Sequence, residues 1–163
     1  MMAVLIRGCG AQRILELGTS NGYSTVWLGD AALATGGHVL SVDVDPVRTA
    51  MALETIERAG LTHTVELRTE DAAGTLTGAP DASVDFIFLD AERSAYVGYW
   101  PDLVRVLSSP GLLVVDNAIS HAAELAAFSA LVQQDARVTD SRVPIGAGVL
   151  LVSRAGSGSD VEQ

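Results

Sequence analysis

The chain has 163 residues, 48% of them apolar, and a formal net charge of −10 from 20 acidic and 10 basic side chains; this allows one sizeable core and leaves little for a second domain. The average field repels a phosphate backbone and no basic run reverses it locally, which speaks against nucleic acid as a partner. The longest apolar runs, such as residues 112–115 and 149–152, fall far short of the roughly 20 residues that cross a bilayer, and no charged leader precedes a signal-like segment, so a soluble, cytoplasmic protein without a membrane partner is expected.

In chain order, apolar runs alternate with helix-like segments. A strand is predicted over residues 14–17; it stops at Gly18-Thr19-Ser20-Asn21-Gly22, a loop that opens into a helix over about residues 23–34. A mainly parallel α/β sheet holds a nucleotide-like cofactor at such a place. The order Glu16-x-Gly18-x-x-x-Gly22 departs from the Gly-x-Gly-x-x-Gly turn that draws a dinucleotide pyrophosphate, which disfavours an NAD-dependent enzyme. A strand over residues 38–42 completes a βαβ beginning. Asp43 closes it, where a carboxylate accepts both hydrogen bonds of a ribose diol; the plain alternative is a strand end. Asp45 reads as the cap of a helix over residues 47–59, because Pro46 suits the first helical position and Gly60 the stop.

A third strand over residues 64–68 leads to Glu70-Asp71-Ala72 and a short helix near residues 72–76, then a polar turn over 78–83 and a fourth strand over 84–89. A helix over about residues 96–107 ends at Ser108-Ser109-Pro110-Gly111, and residues 112–115 form a strand buried on both faces, with Asp116-Asn117 at its end. Residues 122–133 read as a helix. Strands over 138–143 and 148–152 are separated by only residues 144–147, too few for a parallel crossover, so they form an antiparallel hairpin. Five β/α steps and a hairpin make seven strands, and the residues after Arg154 read as a flexible tail. The single cysteine, Cys9, can form no internal disulfide and is read as a small packing residue.

Asp90, Asp116 and Asn117 end two strands of such a sheet at one rim. Two carboxylates and an amide suit Mg²⁺ or Ca²⁺ rather than zinc, the alternative being ordinary turn residues. The segments Leu15-Glu16-Leu17-Gly18 to Gly22-Tyr23-Ser24, Val84-Asp85-Phe86-Ile87-Phe88-Leu89-Asp90-Ala91 and Gly111-Leu112-Leu113-Val114-Val115-Asp116-Asn117 together resemble the cation-dependent O-methyltransferases. This group of class I S-adenosylmethionine-dependent methyltransferases contains the catechol and caffeoyl-coenzyme A enzymes, and the resemblance covers about residues 12–153. It implies a Rossmann-like seven-stranded sheet, mostly parallel with an antiparallel last strand and helices on both faces, in one methyltransferase domain over residues 1–154. It also implies Mg²⁺ (or Mn²⁺ or Ca²⁺) on Asp90, Asp116 and Asn117. The implied S-adenosylmethionine pocket is lined by Glu16, Gly18, Thr19, Gly22, Tyr23, Ser24, Asp43, Val44, Asp71, Ala72, Asp90 and Ala91. Within it Glu16 and Gly18 face the methionine part, Asp43 the ribose, and Asp71 the adenine amine unless Asp71 caps the helix after it.

Two departures from the family matter. Relatives carry Asp-Lys where this chain has Glu92-Arg93. The chain has no lysine, and an arginine stays protonated. Arg93 therefore steadies a phenolate or an acidic group while the metal, Glu92 or water takes the proton, or else the pair are solvated surface charges. Relatives also have further helices before the first strand, whereas about 13 residues precede Ile14 here. Residues 1–6 read as a remnant of the last such helix, and apolar surface at Val4, Leu5 and Ile6 favours a homodimer. Tyr96, Tyr99 and Trp100 either stack on an acceptor ring or pack the core, and His121 either reaches the pocket rim or lies in solvent. The implied activity, with Asp90, Glu92 and Arg93 as its catalytic set, is methylation of a small catechol-like aromatic hydroxyl acceptor. The alternatives are a metal-independent small-molecule methyltransferase and a non-catalytic cofactor-binding, dimerising protein.

Overall fold

Seven strands form one sheet in the order β3-β2-β1-β4-β5-β7-β6. The computed structural model describes residues 1–154; the tail expected over residues 155–163 lies outside the described residues. In chain order the strands are β1 (Arg13–Leu17), β2 (His38–Asp43), β3 (Val65–Thr69), β4 (Val84–Leu89), β5 (Leu107–Val115), β6 (Val138–Val143) and β7 (Val149–Arg154). The helices are α1 (Met2–Cys9), α2 (Tyr23–Thr35), α3 (Pro46–Arg58), α4 (Ala72–Gly78), α5 (Tyr96–Val106) and α6 (Ala126–Gln134). β1 to β5 pair in parallel, and β7 enters antiparallel between β5 and β6, as the short 144–147 link requires.

Both faces of the central strands are buried, so alternate side chains serve two cores. Phe86 and Phe88 of β4 join Ile14, Leu28, Ile56 and Val114 under α2 and α3. Ile87 and Leu89 join Leu17, Leu76, Leu103 and Phe128 under α4, α5 and α6. α3 starts as its sequence dictates: the Asp45 carboxylate accepts from Val47 N at 2.8 Å and Pro46 opens the helix. The strand order reverses at β1, which lies between β2 and β4. The crevice such a sheet offers to a ligand lies outside the carboxyl ends of these strands.

Three local expectations are corrected. β5 begins at Leu107 rather than at residue 112, running through a cis Ser109–Pro110 bond with a register shift against β4 between Val84 and Phe86. α6 begins at Ala126 rather than at residue 122. Residues 118–120 give their amides to the β6–β7 link, Ala118 N to Gly148 O and Ile119 N and Ser120 N to Ala147 O, and the chain then turns on local bonds, Ala122 N to Ile119 O and Leu125 N to His121 O, before the helix begins. Cys9 is exposed rather than packed, at the end of a helix that turns Ile6 inward against α2. For the same reason only Val4 of the expected Val4-Leu5-Ile6 surface is broadly exposed, and Ile6 is fully buried. Among the described residues no helix is long and apolar enough to cross a membrane.

Candidate active site

Each parallel strand hands its successor residue to the neighbouring strand, which brings the loop beginnings to one rim. Gly18 N bonds Val42 O, Asp90 N bonds Leu17 O, Glu70 N bonds Asp43 O and Asp116 N bonds Leu89 O, all within 3.2 Å. Glycine is required twice at this rim. Gly18 has φ +102°, and a Cβ there would lie 2.2 Å from Asp90 O; Gly22 has φ +82°, and a Cβ there would lie 3.1 Å from Ala52 Cα. The first lets the ends of β1 and β4 touch, and the second seats the start of α2 against α3.

A cleft of about 330 Å³ opens beside this loop, lined by Gly18, Asp43, Val44, Asp71, Ala72, Asp90, Ala91, Glu92 and Arg93, together with Ser20, Arg48, Glu70 and Tyr99. Its size falls in the range of small-molecule sites. A larger groove of about 560 Å³ lies towards the other ends of the strands, beside Arg13, His38 and Val84, away from the edge where open α/β sheets bind ligands.

Asp43 is nearly buried, with Oδ2 accepting from Ser20 N at 2.9 Å and Oδ1 from Asp45 N at 3.0 Å. These bonds fix its carboxylate at the cleft wall and leave lone pairs free for two further donors. Asp71 both lines the cleft and caps α4 through Ala73 N at 3.2 Å, so the two sequence readings of this residue are compatible.

Glu16 does not line the cleft. It is fully buried beneath the loop, where its carboxylate accepts from Ser24 Oγ, Thr25 Oγ1 and Ser41 Oγ, each at 2.5 Å. Thr19 Oγ1 lies 2.6 Å from Ser41 Oγ in the same network. Burial pushes the Glu16 carboxyl up to about 7, against the three hydroxyl donors and with a smaller push from the charge of Asp90. Among the described residues its carboxylate meets three hydroxyl donors inside the protein, so Glu16 underlies the glycine loop rather than lining the cleft. Ser24 and Thr19 spend their hydroxyls in this network, and Tyr23 turns outward, 70% exposed. Gly22 serves helix packing rather than the cleft wall.

Asp90, Asp116 and Asn117 do come together. Asn117 Nδ2 donates to Asp90 Oδ1 at 3.1 Å, Asn117 N donates to Asp116 Oδ1 at 2.8 Å, and Asn117 holds a left-handed φ of 61°. Burial, and next the Asp116 charge, push the Asp90 carboxyl up, while Asn117, Arg93 and His121 act against them. Two carboxylates held this close repel, and a cation between them would relieve that; as an all-oxygen donor set they fit Mg²⁺ or Ca²⁺ once the Asn117 amide turns its oxygen inward. Among the described residues no group of three or more His, Cys, Asp or Glu forms a metal cluster.

Arg93 is largely buried and donates to Glu124 Oε2 at 3.3 Å across the rim, whereas Glu92 is exposed and accepts from Ser94 Oγ. The aromatics divide. Tyr96 and Trp100 pack edge-on against Phe128, and Tyr96 Oη donates to Ala91 O at 3.0 Å, steadying the cleft wall from behind. Tyr99 lines the cleft itself. His121 is half-buried near the rim with Nδ1 2.8 Å from Ser120 Oγ. Sequence reasoning missed Ser20 and Arg48 as cleft residues and Thr25 and Ser41 as partners of Glu16; neither spacing nor residue type marks them before the fold is known.

A sequence model of the O-methyltransferase family matches residues 1–155. The chain is 40% identical over 122 residues to a catechol O-methyltransferase of Niastella koreensis, covering 72% of this chain and 54% of that protein. It is 29% identical over 170 residues to a probable caffeoyl-CoA O-methyltransferase 2 of Dictyostelium discoideum, covering 93% and 72% respectively. The fold matches an O-methyltransferase from Bacillus cereus solved in complex with SAH with a TM-score of 0.82 at 26% identity, over 94% of this chain and 78% of that one. The chain thus spans about half the length of the Niastella relative and about three quarters of the other two.

Proposed function

The chain belongs to the O-methyltransferase family, and from that premise we propose that it moves the methyl group of S-adenosylmethionine to a hydroxyl of a small aromatic acceptor with neighbouring hydroxyls, assisted by a divalent cation. The convergence of Asp116 and Asn117 on Asp90, which itself lines the Gly18–Asp43 cleft, carries this reading. The names of the catechol and caffeoyl-CoA relatives and the SAH in the Bacillus structure support the acceptor class and the donor.

Asp43 accepts the ribose hydroxyls on the lone pairs left by its two backbone donors. Gly18 lets the ligand approach the backbone where β1 meets Asp90. Bound S-adenosylmethionine supplies an electrophilic methyl on a sulfonium, whose positive charge suits the carboxylates of Asp43, Asp71 and Asp90 in the cleft lining. Asp90, Asp116 and Asn117 are the residues that would hold the cation, whose chemistry is to lower the pKa of a hydroxyl. The Arg93 guanidinium holds developing negative charge, and the exposed carboxylate of Glu92, which also lines the cleft, takes the acceptor proton. The main service of the site is to hold oxygen, methyl carbon and sulfur in line at close range.

Turnover of a catechol with S-adenosylmethionine, followed with and without chelator, tests the reading. Chelator-sensitive turnover that falls about 100-fold or more in Asp116→Ala is the expected result. Chelator-indifferent turnover would favour the second reading, a metal-independent methyltransferase.

A further inference from the structure

β3 ends the sheet, paired with β2 on one side and with no strand on the other. Across the paired side Val39 N bonds Thr64 O and Glu70 N bonds Asp43 O, an alternation that directs the amides and carbonyls of Glu66 and Arg68 to β2. Those of Val65, Leu67 and Thr69 therefore face outward along the open edge. The side chains alternate between the two faces of the sheet. Val65, Leu67 and Thr69 line a groove of about 370 Å³ on the α3 side, beside the exposed Leu53, whereas Arg68 lines the groove of about 560 Å³ on the other face.

A charge on an open edge normally repels a second strand. β3 instead carries one acid and one base, Glu66 and Arg68, placed symmetrically about Leu67, so its own charges cancel in a chain of net charge −10. Consider two copies of β3 paired antiparallel about a two-fold axis at Leu67: Leu67 meets Leu67, Val65 meets Thr69, and Glu66 meets Arg68 twice. The outward backbone groups then fall at the hydrogen-bonded positions, and the charged residues at the positions between, where opposite side chains come closest. Moving the axis by one residue sets Glu66 against Glu66 or Arg68 against Arg68, so the charges admit one register. The two side chains are 46% and 47% exposed and already pair within the strand, Arg68 Nε 2.6 Å from Glu66 Oε1; two copies turn this pair into a ring of four alternating charges. The opposite edge of the sheet is less free, because Arg142 of β6 donates to Ser129 Oγ of α6 at 3.0 Å.

We propose that the open edge of β3 docks a second copy of this chain, the two seven-stranded sheets joining antiparallel into one. Leu53 and Leu67 of both copies close the α3-side grooves around the two-fold axis. Thr69 is then bonded across the axis just before Glu70 and Asp71, so docking braces the strand end that carries these two residues into the cleft.

Sedimentation of the full chain over a range of concentrations tests this with wild type, Glu66→Arg, Arg68→Glu, the double variant carrying both changes, and Leu67→Pro. Wild type should dimerise reversibly. Each single reversal sets like charges opposite at two positions and should raise the dimer dissociation constant about tenfold or more. The double variant restores opposite charges and should recover wild-type association. Leu67→Pro removes an amide that β2 does not use, so it should keep the circular dichroism of the monomer and lose the dimer; should it fail to fold, the charge variants decide.

Wild type that stays monomeric at its highest soluble concentration overturns the proposal. So do single reversals that dimerise like wild type, which move the contact to another surface such as the β6 edge, and a double variant as weak as the singles. None of these outcomes depends on the methyl-donor reading.

Discussion

Glu16 separates what a motif announces from what its residue does. The sequence places an acid before the first glycine, and its resemblance to a family motif points it at a ligand; in the fold it sits under the loop with three hydroxyls donated from α2 and β2. Those partners come from positions up to 25 residues away in the chain, so no local pattern reveals them. The carboxylate fastens the start of α2 to β2 beneath the glycine loop. Its pKa of about 7 in the fold, against 4.5 ordinarily, means that the native state binds the proton more tightly than the unfolded chain. The associated stability is fully present below about pH 4.5 and is lost as pH rises through 7, to the extent of about 3 kcal/mol. Urea unfolding followed from pH 5 to pH 8 should show wild-type stability declining across that window. Glu16→Gln keeps the shape without the charge and should flatten the decline, and a slope as steep as wild type would remove Glu16 as its source.

Asp85 plays at the opposite end of the strands the part that the rim residues play at the site. Its carboxylate accepts from Gln12 N, Arg13 N and the Arg13 guanidinium at the start of β1, and from Ser108 Oγ in β5, so one side chain of β4 registers three neighbouring strands. Burial raises its pKa, but the Arg13 side chain and the two backbone donors prevail and hold it at about 2. A depressed carboxyl contributes stability that is present above its unfolded value and is lost as pH falls through its folded one, here between about pH 4 and 2. Asp85→Ala should cost about 1–3 kcal/mol at pH 7, kept modest because Arg13 is half exposed, and the gap between variant and wild type should narrow at pH 2. An unchanged urea midpoint at pH 7 would contradict this. The elements themselves were legible wherever one signal ruled: continuous apolar runs marked the central strands, and Asp45-Pro46 marked the start of α3. β5 and α6 were misplaced at their beginnings because Ser108-Ser109-Pro110-Gly111 has turn chemistry yet is carried within β5 between Leu107 and Leu112, which both pair with β4, and because residues 122–125 turn on local bonds such as Leu125 N to His121 O before the helix begins. Asp90, Asp116 and Asn117 were legible for a simpler reason: parallel strand ends share a rim whatever their loops do.

For the molecule as a whole, ligand binding and global stability are one equilibrium, so two distinct sites on one sheet edge can be separated by how each ligand shifts unfolding. A ligand at about 100 times its Kd adds about 2.7 kcal/mol, which for a domain of this size raises Tm by about 5–10 °C. Four melts, with no addition, with S-adenosylhomocysteine, with Mg²⁺ and with both, should show a shift from each ligand in wild type. Asp116→Ala should lose the Mg²⁺ shift and keep that of S-adenosylhomocysteine. Asp43→Ala should do the reverse, from a lower starting Tm because Ser20 N and Asp45 N lose their acceptor. The formal charge of −10 makes the Asp116→Ala arm necessary: diffuse attraction of Mg²⁺ to so acidic a surface stabilises any version of the chain, and one carboxylate fewer barely alters it. A Mg²⁺ shift that survives in Asp116→Ala would therefore be diffuse charge screening, returning Asp116 and Asn117 to turn residues. A shift that vanishes with the one side chain is site binding, because only a local donor set distinguishes one carboxylate among 20 acidic residues.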